Sequence, residues 1–297
     1  MTQLVQSIVG GLGQGAAYAL IAVGFVIIYK ATRVINFAQP ALMAAGATTV
    51  AILSHELGVN FYLAVLVAVF GASLVGLGVE RVALRPMVGK PVFIMAIITL
   101  GLDVVIRVVT NRFIGFDVRP MGDPWGLERW TLAGVMVQHR HAAALITAGA
   151  ILAALYAFFH YSRVGLAMRA TAVDQETALA QGVNVGRMFG VSWAIAAALA
   201  AVAGVFIGAG STIDQQTWLV GLKALPAIIL GGLDSIPGAV IGGLAVGVVE
   251  ALFATYQSTY LPFLGSNFSI VAPYALMLLV LVFRPYGLFG TPEIQRV

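Results

Sequence analysis

The chain is 297 residues long; 60% of its residues are hydrophobic, 9% are charged, and its mean hydropathy is +0.98. Soluble domains carry about 25% charged residues, so this composition excludes a soluble protein and predicts an all-α, polytopic transmembrane helix bundle. No polar stretch is long enough to bury a core of its own, so residues 1–297 are expected to form a single transmembrane domain. The net charge of +4 is modest, and we expect no nucleic-acid partner.

The absence of cysteine excludes disulfides and thiolate metal sites. Met1–Gln6 lacks the positive charge that begins a cleaved signal peptide, and the first apolar run is long enough to span. We therefore expect that run to be retained as the first transmembrane helix.

Apolar runs of spanning length follow one another along the chain. The region 219–256 is also apolar but is interrupted at Gly231–Gly238. Counted as one short and one full pass and added to the seven other runs, this region brings the prediction to about eight to nine passes. The other runs are 5–29, 36–54, 61–82, 92–111, 142–160, 191–211 and 267–284.

The lysines and arginines predict the orientation. Cytoplasmic loops of membrane proteins carry an excess of these residues. With the arginine-containing segment 161–190 in the cytoplasm, ten of them fall in loops predicted inside and four in the long loop 112–141, which is therefore placed outside. Nine crossings put the termini on opposite sides, with the N-terminus outside and the C-terminus in the cytoplasm. The residues predicted inside are Lys30, Arg33, Arg81, Arg85, Lys90, Arg163, Arg169, Arg187, Arg284 and Arg296.

The segment 161–190 is the longest run that favours a helix yet is too polar to lie in a membrane. Within it, Leu166–Gln181 is rich in good helix formers and Gly182 is a natural helix stop, so a short helix at the cytoplasmic surface is predicted. The segment is either a solvated connector or a docking element for a soluble partner. The docking alternative fits an alanine-rich helix and a glycine that admits a second backbone.

Two stretches carry polar or helix-breaking residues beside apolar runs. In Asn36-Phe37-Ala38-Gln39-Pro40, either Asn36 caps a helix whose first turn holds Pro40, or the amides line a cavity. The second stretch is Gly231–Gly238, where glycine and proline interrupt an apolar segment. Such interrupted segments mark transport pathways, but this one fits a tight cytoplasmic turn equally well. Its candidate pathway residues are Gly231, Gly232, Ser235 and Pro237.

For the charged residues within or beside the spans, we expect pairing with a neighbour or contact with water. Asp103 and Arg107 are four residues apart and are expected to form a structural pair rather than a proton relay. Glu250 and Asp214 are expected to reach water at span ends. His139 and His141 lack further ligands nearby, so no metal site is predicted, and no catalytic grouping indicates an enzyme.

Glycines spaced four apart in apolar segments predict close helix packing. The run Gly10–Gly15 is not a phosphate loop, because it precedes a span and lacks the lysine that follows such a loop. The spaced pairs are Gly11 and Gly15, Gly204 and Gly208, Gly238 and Gly242, and Gly243 and Gly247.

The stretches Gly15–Tyr29, Val34–Ala38 and Ala227–Glu250 follow one another along the chain. In this order they resemble the branched-chain amino-acid permeases of ABC importers: the first two are similar to the start of these permeases, and Ala227–Glu250 is the most specific match. Arg85-Pro86 and Arg284–Gly290 resemble a basic turn and a C-terminal signature of the family. The family's coupling loop, which inserts a short helix into a groove of the ATPase subunit, is matched by Arg169, Asp174, Ala178, Gly182 and Arg187.

The resemblance implies a permease driven by two separate ATPase subunits, which bind ATP and Mg²⁺, while this chain itself holds no cofactor. It also implies a second homologous permease, an extracytoplasmic solute-binding protein and a location in the cytoplasmic (inner) membrane. The implied substrates are branched-chain or other hydrophobic amino acids, or related small solutes such as urea and short amides. Gln39, Pro40 and Ala41 stand where members often carry His-Gly-Glu, and Lys30 replaces a usual small residue.

The alternative is a stand-alone channel or secondary transporter for a small polar solute. In that case Asn36–Pro40 and Gly231–Gly238 would form half-helices around a pore. Such proteins favour repeated halves with similar polar motifs, and the Asn-Phe-Ala-Gln-Pro motif has no convincing repeat in this sequence.

Overall fold

The computed structural model describes residues 2–87, 90–126, 128–132, 135–209, 211–264 and 267–291, and throughout these ranges the chain is mostly α-helical. Apolar side chains that follow one another for about 20 residues favour helices that satisfy their own backbone groups in lipid. The helices are α1 (Thr2–Thr32), α2 (Gln39–Ala51), α3 (Phe61–Val79), α4 (Val92–Ile114), α5 (His139–Tyr161), α6 (Arg163–Val173), α7 (Gln175–Ala180), α8 (Val185–Gly208), α9 (Trp218–Gly221), α10 (Ala224–Gly231), α11 (Ile236–Tyr260) and α12 (Phe268–Phe283).

Among the described residues, six helices are long and apolar enough to cross a membrane, namely α1, α3 with its continuation, α4, α5, α8 and α11. This confirms a multi-pass helical membrane protein but not the count of eight or nine passes. The predicted span 36–54 contains only 13 α-helical residues in α2, followed by a wide π turn at Ile52–Glu56. At about 1.5 Å per residue, α2 alone is shorter than the roughly 30 Å apolar layer. The helices α9 and α10 are shorter still.

The connection predicted as 112–141 is shorter than expected, because α4 reaches Ile114 and α5 begins at His139. Its residues take part in two small antiparallel ribbons. One pairs β1 (Arg119–Pro120) with β4 (Thr212–Ile213), which follows α8, and the other pairs β2 (Arg129–Leu132) with β3 (Val135–Gln138) within the connection. The ribbons cover the end of the bundle where α5 begins and α8 ends.

Helix α1 forms the centre of the bundle. Every residue from Gly15 to Ile28 is buried, as expected of a helix that is apolar on all sides. By contrast, α3 and α4 expose large apolar side chains, with Phe70 66% and Val108 64% exposed. A helix that leaves such a face outside the protein is suited to contact with lipid.

Glycines bring α1 and α11 into backbone contact. A Cβ atom at Gly247 would lie 2.5 Å from the Cα of Gly15, and one at Gly11 would lie 2.7 Å from the Cα of Val248. A Cβ at Gly243 would lie 2.5 Å from the Cα of Ala19. These distances are too short for any side chain, so the predicted packing role of these spaced glycines is confirmed.

We predict that Gly247→Leu destabilises the protein by pushing α11 away from α1. Backbone atoms cannot move aside as a flexible side chain can, so the cost is expected at about 1–3 kcal/mol or above. The measurement is the temperature at which half of the detergent-solubilised protein loses its monodisperse peak after heating.

The matched control is Gly149→Leu in α5, where no atom lies within 4 Å of the Cβ position. The control is expected to keep the wild-type midpoint. Equal midpoints for both variants would contradict the close contact between α1 and α11.

Candidate functional site

The segment predicted as one helix, Leu166–Gln181, is two helices separated at Asp174. The backbone of Asp174 is extended, and its carboxylate accepts hydrogen bonds from the N–H groups of Glu176 at 2.9 Å and Thr177 at 3.1 Å. Aspartate disfavours a helix interior but is a preferred N-cap. It therefore ends α6 and starts α7, and the expectation of a single helix is wrong. We refer to residues 162–184 as the short-helix segment.

Gly182 ends α7, as the sequence predicted. Its φ of +83° is a conformation that glycine adopts without strain. Its N–H donates to the Leu179 carbonyl at 2.9 Å, and the Val183 N–H donates to the Ala178 carbonyl at 3.0 Å. These bonds close the C-terminus of the helix. No atom of the described chain lies within 4 Å of the Gly182 Cβ position, so this turn faces open space.

The short-helix segment presents an apolar face that its own chain does not cover. Ala178 is buried and seats α7 on the bundle, whereas Leu179 on the same helix is 63% exposed and Val173 is 84% exposed. A hollow of about 560 Å³ lies beside α7, lined by residues from Gln175 to Phe189 that include Leu179 and Gly182. A side chain or helix of another protein would have both an apolar surface and space to occupy.

The five residues predicted for coupling do not form one cluster. Asp174, Ala178 and Gly182 lie together on α7 and its two ends. Arg187 is exposed in the first turn of α8, where its N–H donates to the Asn184 side chain at 2.9 Å. Arg169 is exposed on α6 and lines a separate apolar groove between α1, α5, α6 and α11.

Side-chain hydrogen bonds attach the short-helix segment to the bundle. Gln175 donates to the Ala31 carbonyl at 2.9 Å, and Arg33 donates to the Ala172 carbonyl at 3.3 Å, so both connect the segment to the end of α1. A third contact lies just beyond the segment and joins the first turn of α8 to the continuation of α3. Hence a force on α7 reaches α1 directly and reaches the continuation of α3 through the start of α8.

That third contact is a bidentate ion pair that the sequence analysis did not find. Arg85 donates to both oxygens of Glu80, at 3.1 and 2.9 Å, and also to the Gly186 carbonyl at 3.0 Å. The Glu80 side chain is 2% exposed. A buried carboxylate requires such a partner, and the spacing of five residues follows from a π turn at Glu80–Leu84.

The two amides of the motif at the start of α2, Asn36 and Gln39, are fully buried, and their polar groups are satisfied by protein. Asn36 is not the helix cap: α2 begins at Gln39, and the Asn36 side chain instead accepts from the Ala38 N–H at 3.0 Å. Asn36 also donates to the Gln39 side chain at 3.0 Å, which in turn donates to the Ala196 carbonyl of α8 at 2.9 Å. The predicted Pro40 in the first turn is confirmed.

The same motif also contacts α1 and α4. Gly24 of α1 leaves room for the Gln39 amide, because a Cβ there would overlap it. The Phe37 N–H donates to the Thr99 hydroxyl of α4 at 3.2 Å. The motif thus joins four helices at one buried point.

The interrupted stretch Gly231–Gly238 is a tight turn between α10 and α11. Gly232 has a φ of +106°, and Ser235 caps α11 by accepting from the Gly238 N–H at 3.1 Å. Lys30 donates to the Asp234 carbonyl at 3.0 Å, so the turn lies at the same end of the bundle as the end of α1 and the short-helix segment. The buried residues of the turn are Gly231, Gly232 and Gly238, and Pro237 is exposed.

Glu250 does not simply reach water, contrary to expectation. It is 9% exposed in the middle of α11 and forms an ion pair with Lys223. Its other oxygen accepts from the Tyr18 hydroxyl at 2.8 Å, and Gln14 donates to that hydroxyl at 2.7 Å. The sequence did contain a signal for this pair, because Lys223 and Glu250 each stand alone among apolar residues. Isolated opposite charges of this kind usually pair in a membrane protein.

The other charged groups follow more local patterns. Arg107 donates to Asp103 at 2.8 Å, which confirms the structural pair, and its guanidinium lies 4.0 Å from the centre of the Trp218 ring. His139 lies 3.3 Å from Glu128 and packs against the Trp130 ring. Arg296, counted among the cytoplasmic charges, lies outside the described residues.

Comparisons with known proteins agree with the sequence motifs. The profile of the family described as "Branched-chain amino acid transport system / permease component" matches residues 7–283. The chain is 32% identical to the high-affinity branched-chain amino acid transport system permease protein BraD of Pseudomonas aeruginosa, across 99% of this chain and 98% of that one. It is also 32% identical to the corresponding permease protein LivH of Escherichia coli K12, across 99% and 97%.

One solved structure shares the fold at low identity. The chain is similar to PsaBC from Streptococcus pneumoniae in complex with Fab, with a TM-score of 0.52, 12% identity, and coverage of 94% of this chain and 91% of that one. At this identity the likeness concerns the fold alone. The profile match and the two full-length relatives carry the assignment: this chain belongs to the family of branched-chain amino acid transport system permease components.

Proposed function

We propose that this chain is the transmembrane permease subunit of an ATP-driven ABC importer for branched-chain or similarly hydrophobic amino acids. The observation that carries the proposal is the exposed apolar face of α7, with Leu179 outward, Ala178 seated on the bundle and a hollow alongside. The relatives BraD and LivH, named as branched-chain amino acid permeases, support the substrate class. Urea and short amides remain solutes to be tested, because Gln39, Pro40 and Ala41 depart from the family pattern.

The proposed complex contains two copies or homologues of the permease, two ABC ATPase subunits and an extracytoplasmic solute-binding protein. The ATPase subunits hold ATP and Mg²⁺, and this chain acts as a single permease domain without catalytic residues. It lies in the cytoplasmic (inner) membrane with its N-terminus outside and its C-terminus inside. The short-helix segment then faces the cytoplasm, where an ATPase subunit would contact Leu179 and Gly182.

The contacts of the short-helix segment suggest how a movement of α7 would be transmitted to the long helices. Closure of the ATPase subunits would move α7, whose Gln175 donates to the Ala31 carbonyl of α1, and with it α6, whose Ala172 carbonyl accepts from Arg33. The Gly186 carbonyl of α8, just beyond the short-helix segment, accepts from Arg85, which pairs with Glu80 in the continuation of α3. Packed helices of this kind move as rigid bodies between discrete arrangements. A stand-alone channel would leave the uncovered face of α7 without a role.

We place the translocation pathway beside the two buried irregular stretches. The motif of Asn36, Phe37 and Gln39 contacts α1, α2, α4 and α8. A change in the relative tilt of these helices must therefore change the contacts of this motif. The turn containing Gly231, Gly232, Ser235 and Pro237 sits at the cytoplasmic end of the proposed path. Its glycine contacts permit sliding of closely packed backbones.

Gly182→Trp is expected to uncouple ATP hydrolysis from transport. The bulky side chain would fill the space beside α7 and impose a strained positive φ, at roughly 1–2 kcal/mol. In proteoliposomes containing the whole complex, we expect leucine uptake to fall at least about tenfold while ATP hydrolysis continues and membrane insertion is normal.

The matched control is Gly182→Asn, because asparagine tolerates a positive φ and is small. It is expected to retain most of the uptake. Wild-type uptake by the tryptophan variant would refute the role of this turn in coupling.

Asp174→Ala is expected to weaken coupling by removing the cap that starts α7. Bonds from the N–H and hydroxyl of Thr177, and then the N–H of Glu176, lower the pKa of the Asp174 carboxyl below its usual 3.8. The capping carboxylate is therefore fully present above pH 3.8 and is lost only as pH falls through the lower folded value. Between about pH 6 and 8, wild-type coupling should not vary through this group.

The measurement is ATP-dependent leucine uptake at about pH 7, where we expect roughly a threefold or greater loss for the alanine variant. Asp174→Asn keeps a capping oxygen and is expected to stay near wild type. If the two variants behaved alike, the cap would not be what positions α7.

A further inference from the structure

A polar chamber opens at the end of the bundle opposite the short-helix segment. It lies between the first half of α1, the start of α5, the end of α8 and the stretch that leads to α10, and its volume is about 480 Å³. Small-molecule sites usually have volumes of about 300–1,000 Å³. None of the residues assigned above to coupling or to the translocation pathway lines this chamber. Its role therefore needs a separate explanation.

The chamber contains both signs of charge. Lys223 and Arg140 line it together with the carboxylate of Asp214. Charged side chains are costly in a membrane protein unless they are paired or serve a function. Here each of them has at least one protein partner and retains further capacity for hydrogen bonds.

Lys223 holds the deepest of these charges. Its side chain is 13% exposed, and its ammonium group contacts one oxygen of Glu250. An ammonium has three hydrogens to donate, and in the described part of the chain Glu250 is the acceptor that it contacts. Its remaining hydrogens are available to a carboxylate in the chamber.

Asp214 and Arg140 have spare capacity of the same kind. The Oδ1 atom of Asp214 accepts from the Gln216 N–H at 2.9 Å and the Thr217 hydroxyl at 3.0 Å, whereas its Oδ2 has no donor among the described residues. Arg140 donates through Nε to Gln138 and through Nη1 to the Ala209 carbonyl. Its Nη2 group is left for a further acceptor.

One part of the chamber wall is apolar: Phe206 and Ile207 of α8 line it, as do Leu219 and Val220 of α9. Polar side chains, among them Gln14, His141 and Thr217, line the remainder together with the charged groups. A solute that carries one carboxylate, one ammonium group and an aliphatic side chain would find a counterpart for each part.

We propose that this chamber binds a zwitterionic amino acid with an apolar side chain, with Lys223 as the residue that recognises its carboxylate. Asp214 accepts from the ammonium group, and Phe206 and Leu219 contact the side chain. Glu250 and Tyr18 hold Lys223 in position from below. This inference rests on the proposed function and adds to it the place where the permease itself holds its solute.

The test uses the purified permease–ATPase complex without solute-binding protein, with radiolabelled L-leucine as the probe. We expect wild type to bind leucine and to bind leucinamide, which lacks the carboxylate, more weakly. Lys223→Gln is expected to weaken leucine binding by roughly 10- to 100-fold, the worth of a charge-assisted hydrogen bond, and to abolish the preference for leucine over leucinamide. Lys90→Gln, at an exposed lysine on a distant connection, is the matched control and should bind as wild type does.

A second variant separates recognition from folding, because Lys223→Gln leaves Glu250 buried without its partner. In Lys223→Gln/Glu250→Gln the pair is neutral, and the Tyr18 hydroxyl keeps an amide oxygen as its acceptor. If Lys223 recognises the solute, this double variant folds but still binds leucine poorly. Recovery of wild-type binding would mean that Lys223 and Glu250 serve only the packing of the bundle, and it would overturn the proposal.

The outcomes also separate this proposal from the function on which it rests. Absence of ATP-driven leucine uptake by the wild-type complex, supplied with its binding protein, would mean that the proposed function fails. Normal uptake together with leucine binding that Lys223→Gln leaves unchanged, or with no leucine binding to the complex up to saturating probe, would overturn only the chamber.

Discussion

The close approach of α1 and α11 organises the helix bundle. Gly11, Gly15, Gly243 and Gly247 let the two backbones touch, so α1 is enclosed and buried from Gly15 to Ile28. Around this axis pack α8, α10 and α5, while α3 and α4 present apolar faces outward. Because membrane helices gain little from the hydrophobic effect among themselves, such dispersion contacts determine the arrangement.

Charge pairing is the second constraint, and it links the packing to function. The pair Lys223–Glu250 lies at one end beneath the polar chamber, and Glu80–Arg85 lies at the other beside the short-helix segment. Each ion is costly in an apolar surrounding unless its partner is in place. Glu80 and Arg85 lie on the same continuation of α3 and move together, whereas Lys223 and Glu250 lie on different elements. A movement of α11 that separated Lys223 from Glu250 would therefore be resisted, which favours a few discrete arrangements over continuous bending.

The sequence predicted most of the apolar helices to within a few residues, because composition and length decide them. It also predicted local features: the helix stop at Gly182, the Asp103–Arg107 pair and the packing glycines. It did not predict the break at Asp174, where an N-cap preference overrode a run of helix formers. Nor did it find the Lys223–Glu250 and Arg85–Gly186 contacts, since these join residues 27 and 101 positions apart. Pairings of that range arise from tertiary packing, which periodicity does not encode.

If an ATPase subunit docks on the exposed face of α7, a probe placed on that face must cross-link to it. The chain contains no cysteine, so Leu179→Cys gives it a single site for a photoreactive maleimide, which is then irradiated in native membranes. Val118→Cys, at a 61% exposed position in the opposite connection, is the control. We expect a cross-link to an ATP-binding subunit from position 179 and none from position 118. Cross-linking to that subunit from position 118, or from neither, would contradict docking at α7.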